Sequence, residues 1–169
     1  SSPVWIGTTT LYTVNGSKQL QSSGTSGTGG ETSYLSTASA MLSNTEWGFW
    51  VKFNLSPSTQ NYCRYYLISD QQDLSGNLNG YYIQLGGSTG TTDTISLYKQ
   101  MGSSRTRIIA GRASTVGKSL NQVRIKVQRN ATGLMESRRS RIESGSSASL
   151  GGALLSWLAA GRWQPAVCG

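Results

Sequence analysis

The amino-acid sequence predicts an all-β protein, an antiparallel β-sandwich of the jelly-roll type. Apolar residues occupy every second position of TEWGFWVKF, from Trp47 to Phe53. The same alternation recurs in YYIQLGG (81–87) and in VRIKVQR (123–129). In a β-strand every second side chain points to the same face, so a two-residue apolar period gives the strand one apolar face. Each segment is therefore predicted to be a strand with one face in the core, as is typical of antiparallel sheets.

Turn signals divide the chain into ten predicted strands. Asn15-Gly16 is a tight hairpin signal, Pro57 closes the longest strand, and glycine-containing turns follow at 86–90 and 130–133. The predicted strands cover 4–6, 11–15, 18–21, 33–36, 46–55, 62–69, 80–86, 94–100, 105–110 and 122–129. The glycine- and serine-rich run 22–30 is predicted to be a loop. This regular spacing of short strands is typical of sandwiches.

Length and composition favour one extracellular domain. The chain has 169 residues, of which only 13% are charged and 21 are glycine. This length can bury a core without a structural metal. No apolar run approaches the length of a membrane span, so we expect no membrane insertion. Cys63 lies within a predicted strand and is expected to be a buried free thiol rather than half of a bridge with Cys168.

The positive charge is unevenly distributed along the chain. Lys and Arg number 15 against 7 Asp and Glu, a net charge of +8. The interval between Asp93 and Glu136 has no acid but contains Lys99, Arg105, Arg107, Arg112, Lys118, Arg124, Lys126 and Arg129. Two interpretations stay open. The residues form a basic face for phosphate or sulfated sugars, or they are solvated outward positions and protected strand edges.

The strand pattern stops after Gly133. We therefore predict a sandwich at 1–133 and an anomalous, irregular tail at 134–169. A Met codon followed by a Glu codon reads as Trp when shifted by one base, and we hypothesise that the tail is a frameshifted translation. An early stop in the other frame of the gene would exclude this. The alternative is an evolved tail with an arginine cluster at 138–141 and a short apolar helix at 153–160.

Four segments together resemble one family of sandwich regions: NGSKQL (15–20), TSYLST (32–37), TEWGFWVKF (45–53) and LSGNLNGYYIQLG (74–86). Over 4–130 the chain resembles the N-terminal sandwich of large secreted or surface proteins of Bacteroidetes-type bacteria, which often precedes lamin-tail or other adhesion modules. The resemblance implies a concanavalin A-like or laminin-G-like jelly roll and an extracellular or cell-surface location. It also implies further strands on both sides, so we expect the chain to be truncated at both ends.

We do not expect an enzyme. Glycan cleavage needs two carboxylates that face one cleft. The acids before the tail lie in predicted loops or at strand ends: Glu31, Glu46, Asp70, Asp73 and Asp93. The chain has no histidine, which is the usual general base.

Calcium is the one cofactor that the sequence suggests. Asp70, Asp73, Asn77 and Asn79 cluster in SDQQDLSGNLNG, and calcium prefers carboxylate and carbonyl oxygens. The alternative is that these residues form turns by bonding their own backbone. The spacing matches no defined calcium motif.

Strand alternation also predicts a ligand-binding face opposite the core. If Ile83 points inward, then Tyr82 and Gln84 point outward. The candidate ligand-binding residues chosen in this way are Trp50, Arg64, Tyr66, Tyr82, Gln84 and Tyr98, with Gln100 beside them. Aromatic rings, amides and guanidinium groups suit sugars. The alternative is a second core covered by loops or by another domain.

These observations predict a non-catalytic binding or adhesion module whose partners are glycans or cell-surface proteins. The alternatives are a spacer domain and an accessory domain of a secreted hydrolase. Tyr98, Arg105 and Arg107 could also contact single-stranded nucleic acid. No recognised nucleic-acid motif accompanies them, so we do not expect that partner.

Overall fold

Antiparallel strands make up almost all of the regular structure. The computed structural model describes residues 4–22, 32–39, 44–89 and 92–130, and the backbone of 135–141 and 166–168. The strands are β1 (Ile6–Gly7), β2 (Tyr12–Val14), β3 (Leu20–Ser22), β4 (Ser33–Ser36), β5 (Thr45–Phe53), β6 (Tyr62–Ser69), β7 (Leu78–Gly86), β8 (Ile95–Gly102), β9 (Ser104–Ile109), β10 (Asn121–Arg129), β11 (Met135–Arg141) and β12 (Ala166–Cys168). One 3₁₀ turn, Thr9–Leu11, precedes β2. The predicted all-β class is confirmed, and each of the ten predicted strands overlaps an observed one.

The described strands form two main sheets and a small hairpin. A seven-stranded sheet has the order β1-β4-β12-β6-β7-β8-β9, a three-stranded sheet has the order β11-β10-β5, and β2 pairs with β3. The consecutive strands β6 to β9 form a meander. The β8–β9 hairpin turns at Gly102, whose φ of 59° lies in the left-handed region that glycine adopts without strain.

The main core lies between the two sheets. Trp47 and Val51 of β5 stand opposite Val127 and Val123 of β10, so the four side chains share one face. They pack against β6, β7 and β8 in one cluster with Phe53, Cys63, Leu67, Ile83, Leu85, Leu97, Val116 and Ile125. The alternation that predicted a core face in β5, β7 and β10 is thus confirmed. Burial of this apolar surface is the main favourable term in the stability of the sandwich.

A second apolar cluster lies on the other face of the seven-stranded sheet. Leu74, from the β6–β7 connection, is buried there against Tyr66, Leu78 and Tyr82. The Ser36 hydroxyl donates to the carbonyl oxygen of Gln72 at 2.7 Å, which ties the same connection to β4. The connection therefore covers part of a face that would otherwise meet solvent.

A β-bulge shapes the pairing of β6 with β7. The register shifts between Tyr66 and Ile68, and Ser69 then stands opposite Gly80. A Cβ atom on Gly80 would lie 2.2 Å from the carbonyl oxygen of Ile68. Only glycine permits this close backbone approach, so residue 80 is constrained by sterics rather than by its turn propensity.

Cys63 corrects one expectation. It is buried, with 3% of its surface exposed, but it is disulfide-bonded and not a free thiol. The backbone of β12 runs between β4 and β6, where Cys168 is the register partner of Cys63. The expectation was wrong because the spacing of the two cysteines in sequence carries no information about which strands become neighbours.

The tail contains strands where none was predicted. Residues 135–141 form β11, which pairs with β10 over its 7 residues, and 166–168 form β12. A strand ladder is made by backbone groups, so it does not require an alternating side-chain pattern. The helix at 153–160, which belongs to the alternative of an evolved tail, and loop residues 23–30 lie outside the described residues. The boundary at 133 and the frameshift stay predictions.

Candidate ligand-binding face

Cross-strand register brings most of the predicted ligand residues onto one face. Tyr66, Tyr82, Tyr98 and Arg107 stand opposite one another in a row across β6, β7, β8 and β9. Directly opposed residues in antiparallel strands share a face. Neighbouring rows of the same parity complete what we call the tyrosine–arginine face, which consists of Tyr62, Arg64, Tyr66, Tyr82, Gln84, Tyr98, Gln100, Arg105 and Arg107. It lies on the side of the seven-stranded sheet away from the main core.

The tyrosine rings contact one another along the row, as a tilted pair and a stacked pair. The ring centroids of Tyr66 and Tyr82 are 5.0 Å apart, with planes inclined by 43°. Those of Tyr82 and Tyr98 are 5.2 Å apart, with planes inclined by only 2°. Each aromatic pair of this kind stabilises a fold by about 0.5–1.5 kcal/mol more than the burial of its apolar surface does. The stacking therefore holds the ring of Tyr98 in one orientation at the less covered end of the row.

Burial divides the face into a covered part and an accessible part. Tyr66 is 3% exposed and Tyr82 is fully buried, so the second-core interpretation is correct for these two residues. Arg64, Gln84 and Tyr98 are half-buried. A ligand can therefore touch Arg64, Gln84 and Tyr98, while Tyr66 and Tyr82 are covered and contact them from the side.

Arg64 is held by neutral partners. Its Nε donates to Oε1 of Gln84 at 3.1 Å and its Nη2 to the hydroxyl of Tyr62 at 3.2 Å. Its Cζ lies 4.7 Å from the Tyr62 ring centroid and 5.4 Å from that of Tyr82, which are cation–π distances. Nε2 of Gln84 in turn donates to the carbonyl oxygen of Gly86 at 3.2 Å. The guanidinium is thus oriented without its charge being neutralised.

Gln100 has a structural role in the covered part of the face, where it forms hydrogen bonds with buried groups. The Tyr66 hydroxyl donates to its Oε1 at 2.7 Å, and its Nε2 donates to the carbonyl oxygen of Gly102 at 2.9 Å. Gln100 is only 1% exposed. Burial raises the pKa of the Tyr66 hydroxyl, and the positive charges of Arg64 and Arg105 oppose that shift. Gln100 therefore satisfies buried polar groups and is not available to a ligand.

The hydroxyl of Tyr82 stands out among the described groups. It is buried, and no other described residue forms a hydrogen bond with it. Burial raises the pKa of Tyr82 to about 12, although Arg64 and Arg105 act in the opposite direction. The phenol therefore keeps its proton near neutral pH and stays a hydrogen-bond donor.

The face is cationic. Arg105 and Arg107 of β9 are exposed and stand opposite Gln100 and Tyr98. Among the residues whose side chains are described, a salt bridge joins Lys126 to Glu46. Both residues lie on the three-stranded sheet and not on this face. The guanidinium groups of the tyrosine–arginine face thus have no carboxylate partner among the described residues.

Three residues of the face, Tyr62, Arg105 and Arg107, were not among the ligand-binding candidates predicted from the sequence. Arg105 and Arg107 were considered for nucleic acid and as part of a basic interval open to phosphate or sulfated sugars, but not beside the tyrosines, and Tyr62 was not considered. A signal existed for all three. Tyr62 has the same parity as Arg64 in β6, and a tight hairpin at Gly102 places Arg105 opposite Gln100.

Trp50 does not belong to the face. It lies on β5 in the three-stranded sheet, opposite Arg124 of β10. Its neighbours Phe49 and Val51 pack into the main core, so Trp50 points to the outside of the other sheet. Placing it with Arg64 and Tyr98 was wrong, because alternation determines which side of a strand a residue takes but not which sheet the strand joins.

The calcium candidates are engaged in turn hydrogen bonds. The Asp70 carboxylate accepts from the backbone N–H and from Nδ2 of Asn79, each at 2.7 Å. The Asp73 carboxylate accepts from the backbone N–H of Ser75 at 2.8 Å and from its hydroxyl at 2.6 Å. These bonds lower the pKa of both aspartates. Asn77 is exposed in the same loop. The contacts are those of the turn-forming alternative, and calcium binding here stays a prediction.

The described residues contain neither a metal-ligand group nor a membrane-spanning helix. No set of three acidic or cysteine side chains there could hold a metal ion. The described part of the chain also contains no helix of the length and apolarity needed to cross a membrane. Comparisons of the chain with protein-family models, curated proteins and solved structures give no match.

Proposed function

We propose that this chain is a non-catalytic, extracellular binding or adhesion module that recognises carbohydrate on its tyrosine–arginine face. The observation that carries the proposal is the stacked pair in which buried Tyr82 orients half-buried Tyr98. A jelly-roll connectivity and a role within a larger surface protein belong to the same proposal.

The accessible groups match the chemistry of a sugar. The C–H face of a pyranose ring packs on an aromatic plane, and its hydroxyl groups exchange hydrogen bonds with amides and guanidinium groups. Tyr98 offers the plane, while Gln84 and Arg64 lie two residues along the neighbouring strands from the tyrosine row. The combination provides both kinds of contact on one surface.

The supporting layer makes these groups rigid before a ligand arrives. Tyr82 fixes the plane of Tyr98, and Gln84 fixes the guanidinium of Arg64. Side chains that are already ordered lose little entropy on binding. The buried tyrosines therefore contribute to affinity through orientation rather than through contact.

A glycan array with the full chain tests the proposal. We expect the wild-type chain to bind a subset of glycans, and Tyr98→Ala to weaken that binding by about tenfold or more, as loss of a stacking partner should. Trp50→Ala is the matched control, because it removes a half-buried aromatic from the other sheet. Circular dichroism checks that both variants fold. Absence of binding to every glycan would favour the spacer function instead.

A further inference from the structure

Three arginines project from the tyrosine–arginine face. Arg105 and Arg107 occupy alternate positions of β9, and same-face neighbours on a strand are about 7 Å apart. Arg64 extends from β6, across the tyrosine row from β9. The face thus carries positive charge on both sides of the stacked rings.

Two of these arginines influence the same tyrosine hydroxyls. Arg64 and Arg105 both act electrostatically on the hydroxyls of Tyr66 and Tyr82. Arg64 donates its hydrogen bonds to the neutral groups of Gln84 and Tyr62. No ion pair with Arg105 or Arg107 occurs among the described side chains. A cluster with neutral partners keeps its full charge for a ligand.

We propose that Arg64, Arg105 and Arg107 form a subsite for the sulfate or carboxylate group of an acidic sugar, so that the face prefers acidic to neutral glycans. This inference rests on the proposed carbohydrate-binding function. Guanidinium groups suit such anions because their parallel N–H donors match two oxygens at once. The ring of the same sugar lies on Tyr98, which stands opposite Arg107.

Burial favours an acidic glycan over single-stranded nucleic acid. Single-strand binding uses several exposed aromatic rings between basic groups, one for each base. In this face Tyr66 and Tyr82 are buried, and the guanidinium of Arg64 lies over the Tyr62 ring. Tyr98 remains as the stacking surface, which suits one sugar ring beside an anionic group.

The test compares matched polysaccharides by calorimetry on the full chain. The probes are dextran sulfate against dextran for the sulfate group, and oligogalacturonate against its methyl ester for the carboxylate. We expect at least one acidic member to bind about tenfold more tightly than its neutral partner. The double variant Arg105→Ala/Arg107→Ala should lose that preference, so that the acidic member binds within about twofold of its neutral partner.

A control variant distinguishes binding at the arginine subsite from general attraction of an anion to a positively charged protein. Lys118→Ala/Arg124→Ala removes two exposed charges, one on β10 and one beside the start of that strand, and should keep the preference. Equal loss in the two double variants would overturn the inference. Equal binding of the acidic and neutral members would overturn the acidic subsite but not the proposed carbohydrate-binding function. Absence of binding to any glycan would refute both proposals. Oligothymidylate that binds as tightly as the acidic glycan would also count against it.

Discussion

The rings of Tyr82 and Tyr98 lie parallel across the β7–β8 ladder, with centroids 5.2 Å apart and planes inclined by 2°. One ring is fully buried and the other is half-buried. A core residue thereby determines the orientation of a surface residue. This relationship links the stability of the seven-stranded sheet to the shape of the proposed binding face.

Two tyrosine hydroxyls in the covered part of the face should differ in their effect on stability. Tyr66→Phe leaves Oε1 of buried Gln100 without its 2.7 Å donor, which should lower the free energy of unfolding by about 1–3 kcal/mol. Tyr82→Phe removes a buried hydroxyl that has no partner among the described residues, so it should be neutral or stabilising. Urea denaturation of both variants measures the difference. Equal destabilisation would show that the Tyr82 hydroxyl is satisfied.

The main core should be sensitive to truncation in the middle of β10. Ile125 is 1% exposed and lies in the cluster between the two sheets. Ile125→Ala should lower the free energy of unfolding by about 2–5 kcal/mol, through lost burial and the cavity that remains. Leu120→Ala, at a residue that is 51% exposed, is the control and should cost less than about 1 kcal/mol. Similar losses in both variants would contradict the placement of the core.

Close backbone packing should make Gly80 intolerant of a side chain. Gly80→Ala places a methyl group 2.2 Å from the carbonyl oxygen of Ile68, so β6 and β7 must separate. We expect thermal unfolding at a clearly lower temperature. Gly76→Ala is the matched control, because a Cβ there meets nothing within 4 Å. A wild-type melting temperature for Gly80→Ala would show that the bulge relaxes freely.

The β6–β7 connection should weaken in acid. Hydrogen bonds from Asn79 hold the pKa of Asp70 below its ordinary value of 3.8. A lowered pKa in the folded state stabilises the fold above pH 3.8, and this contribution is lost as the pH falls through the folded value. The carboxyl carbon of Asp70 should therefore titrate below 3.8 in an NMR experiment, and Asn79→Ala should raise the midpoint. A midpoint at or above 3.8 in the wild type would contradict the described contact.

Local pattern was sufficient for much of the fold. The strands Ser33–Ser36 and Tyr62–Ser69 were predicted to the residue. Hydrophobic alternation also identified the buried side of β5, with Trp47 and Val51 in the core. These features depend on neighbours within one strand, which the order of residues contains directly.

The candidate site was predictable only in part. Two-residue alternation was enough to predict on which side of their strands Arg64, Gln84 and Tyr98 lie. It also placed Trp50 with them, although β5 joins β10 in the other sheet. Leu74 covers the tyrosine row from a connection whose path no short-range pattern indicates.

The order of residues was enough to establish the strand class and the apolar side of the principal strands, since both follow from a two-residue period. Three further features became visible only in the folded chain: β12 inserts between β4 and β6, Cys63 is disulfide-bonded, and Tyr82 is covered while Tyr98 is accessible. Those features depend on contacts between residues far apart in the chain. Their free energy comes from the joint packing of many strands, so no single segment specifies them.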